Sequence, residues 1–92
     1  MVGVLTVEFM IYDSRSLKDK RRVVRSIAQR LRNRFNVSVA EVADHGVYQR
    51  CTLQIASVSG ERTPLHAAFD RMVDTIRSNR SVSLLQYGRA FY

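Results

Sequence analysis

Val4-Leu5-Thr6-Val7-Glu8-Phe9-Met10-Ile11 sends its side chains alternately to two sides of an extended chain. Leu5, Val7, Phe9 and Ile11 fall on one side; Val4, Thr6, Glu8 and Met10 fall on the other. A period of two with β-branched and aromatic members is the pattern of a strand with one buried face. It predicts a strand from Val2 to Tyr12, ended by the polar bend Asp13-Ser14-Arg15. Immediately beyond, the period changes. Leu17, Val24, Ile27, Ala28, Leu31 and Phe35 recur at helical spacing and make one apolar stripe. Ser16 with Asp19 has the form of a capping box, in which each side chain satisfies the other's free backbone donor. The helix is expected to close near Asn36.

Outward from this strand–helix pair the alternation continues. Asn36 to Ala43 reads as a second strand with Val37, Val39 and Val42 as apolar members; their uneven spacing calls for a bulge. Asp44-His45-Gly46-Val47 is a turn signal built on Gly46. A third strand is predicted from Tyr48 to Val58, with Cys51, Leu53 and Ile55 on one face and Arg50, Thr52, Gln54 and Ala56 on the other. Ser59-Gly60-Glu61-Arg62 is a loop. Thr63 is placed as the N-cap of a second helix and Pro64 at its first position, where a missing N–H goes unnoticed. Leu65, Phe69, Met72, Val73 and Ile76 form its stripe, and Ser78-Asn79-Arg80 ends it. The last strand, Val82 to Phe91, is apolar on both faces in places.

The order β-α-β-β-α-β makes two split β-α-β units, each with a right-handed crossover. The expected fold is α+β and ferredoxin-like: a four-stranded antiparallel sheet with two helices on one face. At 92 residues, with 46% hydrophobic side chains, the chain reads as a single domain over 1–92 with one core. One cysteine, Cys51, makes neither an internal disulfide nor a metal pair, and in an apolar alternating stretch it reads as a packing thiol. No stretch has signal-peptide or membrane-spanning character, so the expectation is a cytoplasmic protein without a membrane partner.

Charge is concentrated. The chain nets +7, yet residues 15 to 34 hold Arg15, Lys18, Lys20, Arg21, Arg22, Arg25, Arg30, Arg32 and Arg34 against Asp19 alone, a net of +8. All other positions hold six basic and seven acidic residues, a net of −1. At about 100° per residue, Lys18, Arg21, Arg22, Arg25 and Arg32 share one flank of the apolar stripe, while Arg30 and Arg34 lie on the other. Stability does not explain this ridge. Lys18–Arg22 and Arg21–Arg25 are like charges at i,i+4, each costing about 0.2–0.5 kcal/mol. A phosphate-bearing partner would supply the missing counter-charge; a solvated face screened by salt is the alternative. Arg15, Lys18, Arg21, Arg22, Arg25 and Arg32 are therefore the candidate nucleic-acid-binding residues, contacting phosphates without base-specific readout.

Other chemistries lack their residues. The outward positions Val4, Thr6, Glu8 and Met10 of the first strand and Arg50, Thr52, Gln54 and Ala56 of the third offer no aromatic platform on which bases could stack. The four glycines are scattered, so no phosphate-cradling loop is present. His45 and His66 have no cysteine or carboxylate at ligand or triad spacing. Glu8 and Glu41 are expected to pair with helix arginines. Tyr48, Tyr87, Phe91 and Tyr92 read as packing or as a dimer contact. The reading is non-enzymatic, with no catalytic residue, metal or cofactor assigned.

Three stretches together carry a family resemblance: Val2-Gly3-Val4-Leu5-Thr6-Val7-Glu8, Ser14-Arg15-Ser16-Leu17-Lys18-Asp19-Lys20-Arg21, and Arg32-Asn33-Arg34-Phe35-Asn36-Val37-Ser38-Val39-Ala40-Glu41. The chain resembles the YlxP-like family of small bacterial proteins of unknown function, strongly in its first half and through Tyr48-Gln49-Arg50. The resemblance implies a ferredoxin-like fold. It implies no catalytic residues. Genes of such proteins lie in many bacteria near those for translation initiation and ribosome maturation, including ribosome-binding factor A, which points to structured RNA or a ribosomal surface as partner. The family's basic motif falls here on Arg15, Lys18, Lys20 and Arg21. The alternative function is a homodimeric or protein-interaction scaffold using the sheet face that the helices leave uncovered, with Val4, Met10 and Ala56 as its apolar members.

Overall fold

The elements of the computed structural model, which describes residues 1–92, are β1 (Val2–Ile11), α1 (Leu17–Arg34), β2 (Ser38–Ala43), β3 (Arg50–Val58), α2 (Arg62–Arg77) and β4 (Val82–Phe91). The strands form one antiparallel sheet in the order β2-β3-β1-β4. This is the expected ferredoxin-like α+β arrangement.

The alternation read in β1 and β3 decides which face is buried. Leu5 pairs with Ile55, Val7 with Leu53 and Phe9 with Cys51, and all six are buried. Onto this face α1 lays Ile27, Ala28 and Leu31, and α2 lays Leu65, Phe69, Met72, Val73 and Ile76. α2 packs tightly over Gly3. A methyl group there would stand 2.8 Å from the Phe69 ring, so only glycine lets α2 settle this near to β1.

Element ends depart from the sequence reading in instructive ways. Ser16 caps α1 as expected, its Oγ accepting from the Asp19 N–H at 3.1 Å. The reciprocal arm reaches one residue further back: Asp19 Oδ2 accepts from the N–H of Arg15 at 3.1 Å. Thr63 is not the cap of α2. Glu61 holds that position without a side-chain hydrogen bond, and Thr63 and Pro64 lie inside the first turn. Proline is tolerated there because the first-turn N–H groups have no intrahelical acceptor.

The β2–β3 turn is likewise not built on Gly46, whose backbone is ordinary. Asp44 takes the left-handed conformation, with φ 65°, a state aspartate tolerates. Its carboxylate accepts from Thr52 Oγ1 at 3.0 Å. Tyr48 and Gln49 belong to this turn, so β3 starts at Arg50. Asp13, with φ 58°, similarly stops β1 just before the predicted end is passed.

Two bulges set the registers of the edge strands. In β2 the pairing shifts between Glu41 and Ala43, and Val42 turns out to solvent. Regular alternation up to the bulge makes Val39 and Glu41 the inward members of β2, while Val42, one of the three apolar members expected of this strand, is exposed. In β4 the shift against Glu8 and Phe9 leaves Leu85 unpaired and exposed while Leu84 packs on the core. That bulge is why β4 reads as apolar on both faces.

Candidate functional site

The basic helix α1 presents its charge in two connected places. Lys18, Arg21, Arg22 and Arg25 surround a shallow surface depression with Ser26 and Gln29. Arg21, Arg25 and Arg32 also line a deeper cleft of about 340 Å³ between α1 and β2. Arg32 is steadied there, its Nη2 donating to the Val39 carbonyl at 3.0 Å. Arg15 stands apart from both, ahead of the helix and exposed. Five of the six candidate residues are thus brought together on one side of α1.

None of these six side chains has a carboxylate oxygen within 4.0 Å. All six are exposed. The local sequence explains why: Asp19 is the only acid on the segment, and its carboxylate is occupied by the backbone of Arg15. The cations face water and one another.

Lys20, counted in the basic run by its charge, differs from its neighbours: it is buried. Its side chain is 2% exposed, with Nζ 2.8 Å from Glu41 Oε2 and donating also to the Asp44 carbonyl. Position is the signal that would have found it. Leu17, Lys20, Val24, Ile27 and Leu31 are spaced three and four apart, so Lys20 sits on the buried stripe. The expected pairing of Glu8 and Glu41 with helix arginines is corrected accordingly. Glu41 pairs with Lys20; Glu8 lies 3.6 Å from Arg50 and accepts from Gln86 at 2.7 Å, on the outer sheet face.

Cys51 lies beneath this pair, fully buried. Burial, with the Glu41 carboxylate adding to it, pushes the thiol up to about 12, far from a nucleophile's range. His45 borders the cleft with Nε2 3.2 Å from the Glu41 carbonyl. His66 receives an Arg89 guanidinium N–H at Nδ1, 3.0 Å away, and its ring leans on Phe91 at 4.7 Å. No group of three histidine, cysteine or acidic side chains is placed to hold a metal. The outer face of β1 and β3 is aliphatic and polar, as read: Val4, Thr6, Glu8 and Met10 beside Thr52, Gln54 and Ala56. No helix is long and apolar enough to cross a membrane.

The fold and this surface define a small α+β plait with one cationic helix face and an unfilled cleft beside it. The chain belongs to the family described as "Protein of unknown function (DUF503)", whose profile matches residues 2–89. It is 38% identical over 78 residues to "Uncharacterized protein YlxP" of Bacillus subtilis (strain 168), covering 85% of each chain. The YlxP-like resemblance carried by the quoted motifs is therefore correct. The backbone is similar to a solved structure titled "Structural Genomics, protein YJCS", with a TM-score of 0.56 at 6% identity, over 100% of this chain and 99% of that one. That likeness speaks for the fold alone.

Proposed function

We propose that the protein is an RNA-binding module that recognises structured RNA, or a ribosomal surface, through the phosphates along α1. The observation that supports this reading is the convergence of Lys18, Arg21, Arg22 and Arg25 on one patch with no carboxylate partner. Like charges at i,i+4 destabilise a helix by about 0.2–0.5 kcal/mol a pair. Phosphates would remove that repulsion and release their own counterions. The outward members Val4, Thr6, Glu8 and Met10 of β1 and Thr52, Gln54 and Ala56 of β3 include no aromatic side chain for bases to stack on, which favours the helix over the sheet.

The test is filter binding of ribosomal RNA across a salt series. Log affinity should fall by roughly 0.7–0.9 per log salt for each phosphate contacted. Arg21→Glu with Arg25→Glu should abolish binding and leave the melting temperature unchanged or slightly raised: the i,i+3 pairs Lys18–Arg21 and Arg22–Arg25 become attractive, while the 21–25 pair only exchanges one like-charge repulsion for another. A flat salt response, or a double variant that binds like the wild type, would reject the reading. A dimeric or protein-binding scaffold is the other proposal. It draws on Val4, Met10 and Ala56 of the uncovered sheet face, of which Met10 is exposed while Val4 and Ala56 are half-buried. Light scattering decides it: a strict monomer at high concentration counts against self-pairing.

A further inference from the structure

The cleft beside α1 has a structural cause. Before its bulge, β2 contributes only Val39 and Glu41 to the inner face, and the helix offers the small side chain of Ala28 across from them. The space between stays open. Its wall is aliphatic, from Val24, Val39 and Leu53, and its α1 rim is cationic, from Arg21 and Arg25. Counting Lys20, Arg21, Arg25 and Arg32 against Glu41, the lining nets +3. At about 340 Å³ the cleft is at the small end of ligand sites, which run to roughly 300–1,000 Å³. An apolar wall under a cationic rim suits a molecule with a flat weakly polar part and an anionic part.

Arg21 and Arg25 belong both to this rim and to the outer patch with Lys18 and Arg22. A phosphate chain laid along α1 therefore passes the mouth of the cleft. We propose that the cleft receives one unpaired nucleotide of the RNA bound along α1, with its phosphate between Arg21 and Arg25 and its base against Val24 and Val39. The inference rests on the RNA reading above and adds a preference for single-stranded segments. A base held in a duplex cannot leave its stack to enter without losing its pairing. The aliphatic wall itself has no donor–acceptor pattern; Lys20, Arg32, Glu41 and His45 complete the lining with polar groups.

The test compares two probes with equal numbers of phosphates, an oligouridylate and a blunt RNA duplex, on the full chain with labelled valine and leucine methyls. The oligouridylate should bind at least about tenfold tighter, roughly the 1.4 kcal/mol of one modest contact, and should shift the methyl signals of Val24, Val39 and Leu53. Ala28→Leu fills the cleft floor without changing charge and should bring the two probes to equal affinity. Where that variant does not fold, the probe comparison and the methyl shifts of the wild type decide alone. Equal affinities with unmoved cleft methyls would overturn the inference and leave the phosphate reading standing. Shifts produced by uridine monophosphate but not by oligouridylate would also overturn it. Failure of both RNAs to bind at low salt would remove both readings together.

Discussion

Replacing Lys20 with methionine keeps the length of a buried side chain and removes its charge. The loss is specific. Lys20 Nζ sits 2.8 Å from Glu41 Oε2 and donates to the carbonyl of Asp44, tying the first turn of α1 to the end of β2 and to the following turn. Without it, a carboxylate only 23% exposed and a turn carbonyl lose their shared partner. A hydrogen bond to a charged group is worth about 1.5–3 kcal/mol net. Deleting one member of a buried ion pair costs about 3–5 kcal/mol. Glu41 retains some contact with water, so the lower ends of both ranges apply, and the expected loss is about 2–3 kcal/mol. For a chain of this size that lowers the melting temperature by roughly 10–20 °C. Urea unfolding followed by circular dichroism measures it. Adding Glu41→Leu to the Lys20→Met variant should recover more than half of the loss, because replacing both charges with apolar groups of similar volume is nearly neutral. A single variant within about 0.5 kcal/mol of the wild type would refute the argument. So would a double variant as unstable as the single one.

Three further outcomes are expected. The Cys51 thiol, raised to about 12 from 9.0, keeps its proton in the folded state when the unfolded chain has released it. Its contribution is complete below pH 9 and falls as the pH rises towards 12, by up to about 1.4 kcal/mol per pH unit; Cys51→Ala should flatten the wild-type decline in that window, and parallel profiles would contradict this. Gly3→Ala should destabilise by about 1–3 kcal/mol, because the new methyl would meet Phe69 at 2.8 and 2.9 Å. Gly88→Ala meets nothing within 4 Å and should be neutral; equal melting shifts for the two would show that the α2–β1 contact is not the constraint. Ser16→Ala should lose about 1 kcal/mol with the cap of α1, and Ser16→Asp should restore it in the same thermal melt.

The architecture was legible because hydrophobic period switches cleanly, from two in Leu5–Ile11 to helical in Leu17–Leu31 and back again in Cys51–Ile55. What was not legible depended on tertiary partners. Lys20 was counted by charge, although its place on the stripe contradicts a solvated role; nothing within α1 supplies the buried acid that compensates it. Glu41 turns inward by plain alternation from Val39, because the register of β2 is regular up to the bulge at Val42; a bulge can be suspected from uneven valines but not positioned by them. Gly46 outranks Asp44 as a turn former by propensity, yet the hydrogen bond from Thr52 to the Asp44 carboxylate selects the aspartate for the left-handed position. The basic ridge was visible by helical angle alone. The cleft beside it was not, because it arises from a short, bulged strand facing a small helix residue.

The central place of β1 bears on how the chain reaches this state. Both edges of β1 are paired, Val2 with Val58 and Gly3 with Phe91 at one end, Met10 with Arg50 and Ile11 with Val82 at the other. Every partner is distant in sequence, so the middle of the sheet closes only through long loops, an entropic toll that local helix formation does not share. Until β3 and β4 arrive, β1 is a ten-residue strand with two open edges and a bare face of Leu5, Val7, Phe9 and Ile11. Such a segment templates pairing with other chains. α1, the one helix that carries the charge excess, needs only local contacts to form, and the net +8 of its segment repels the same segment of other chains.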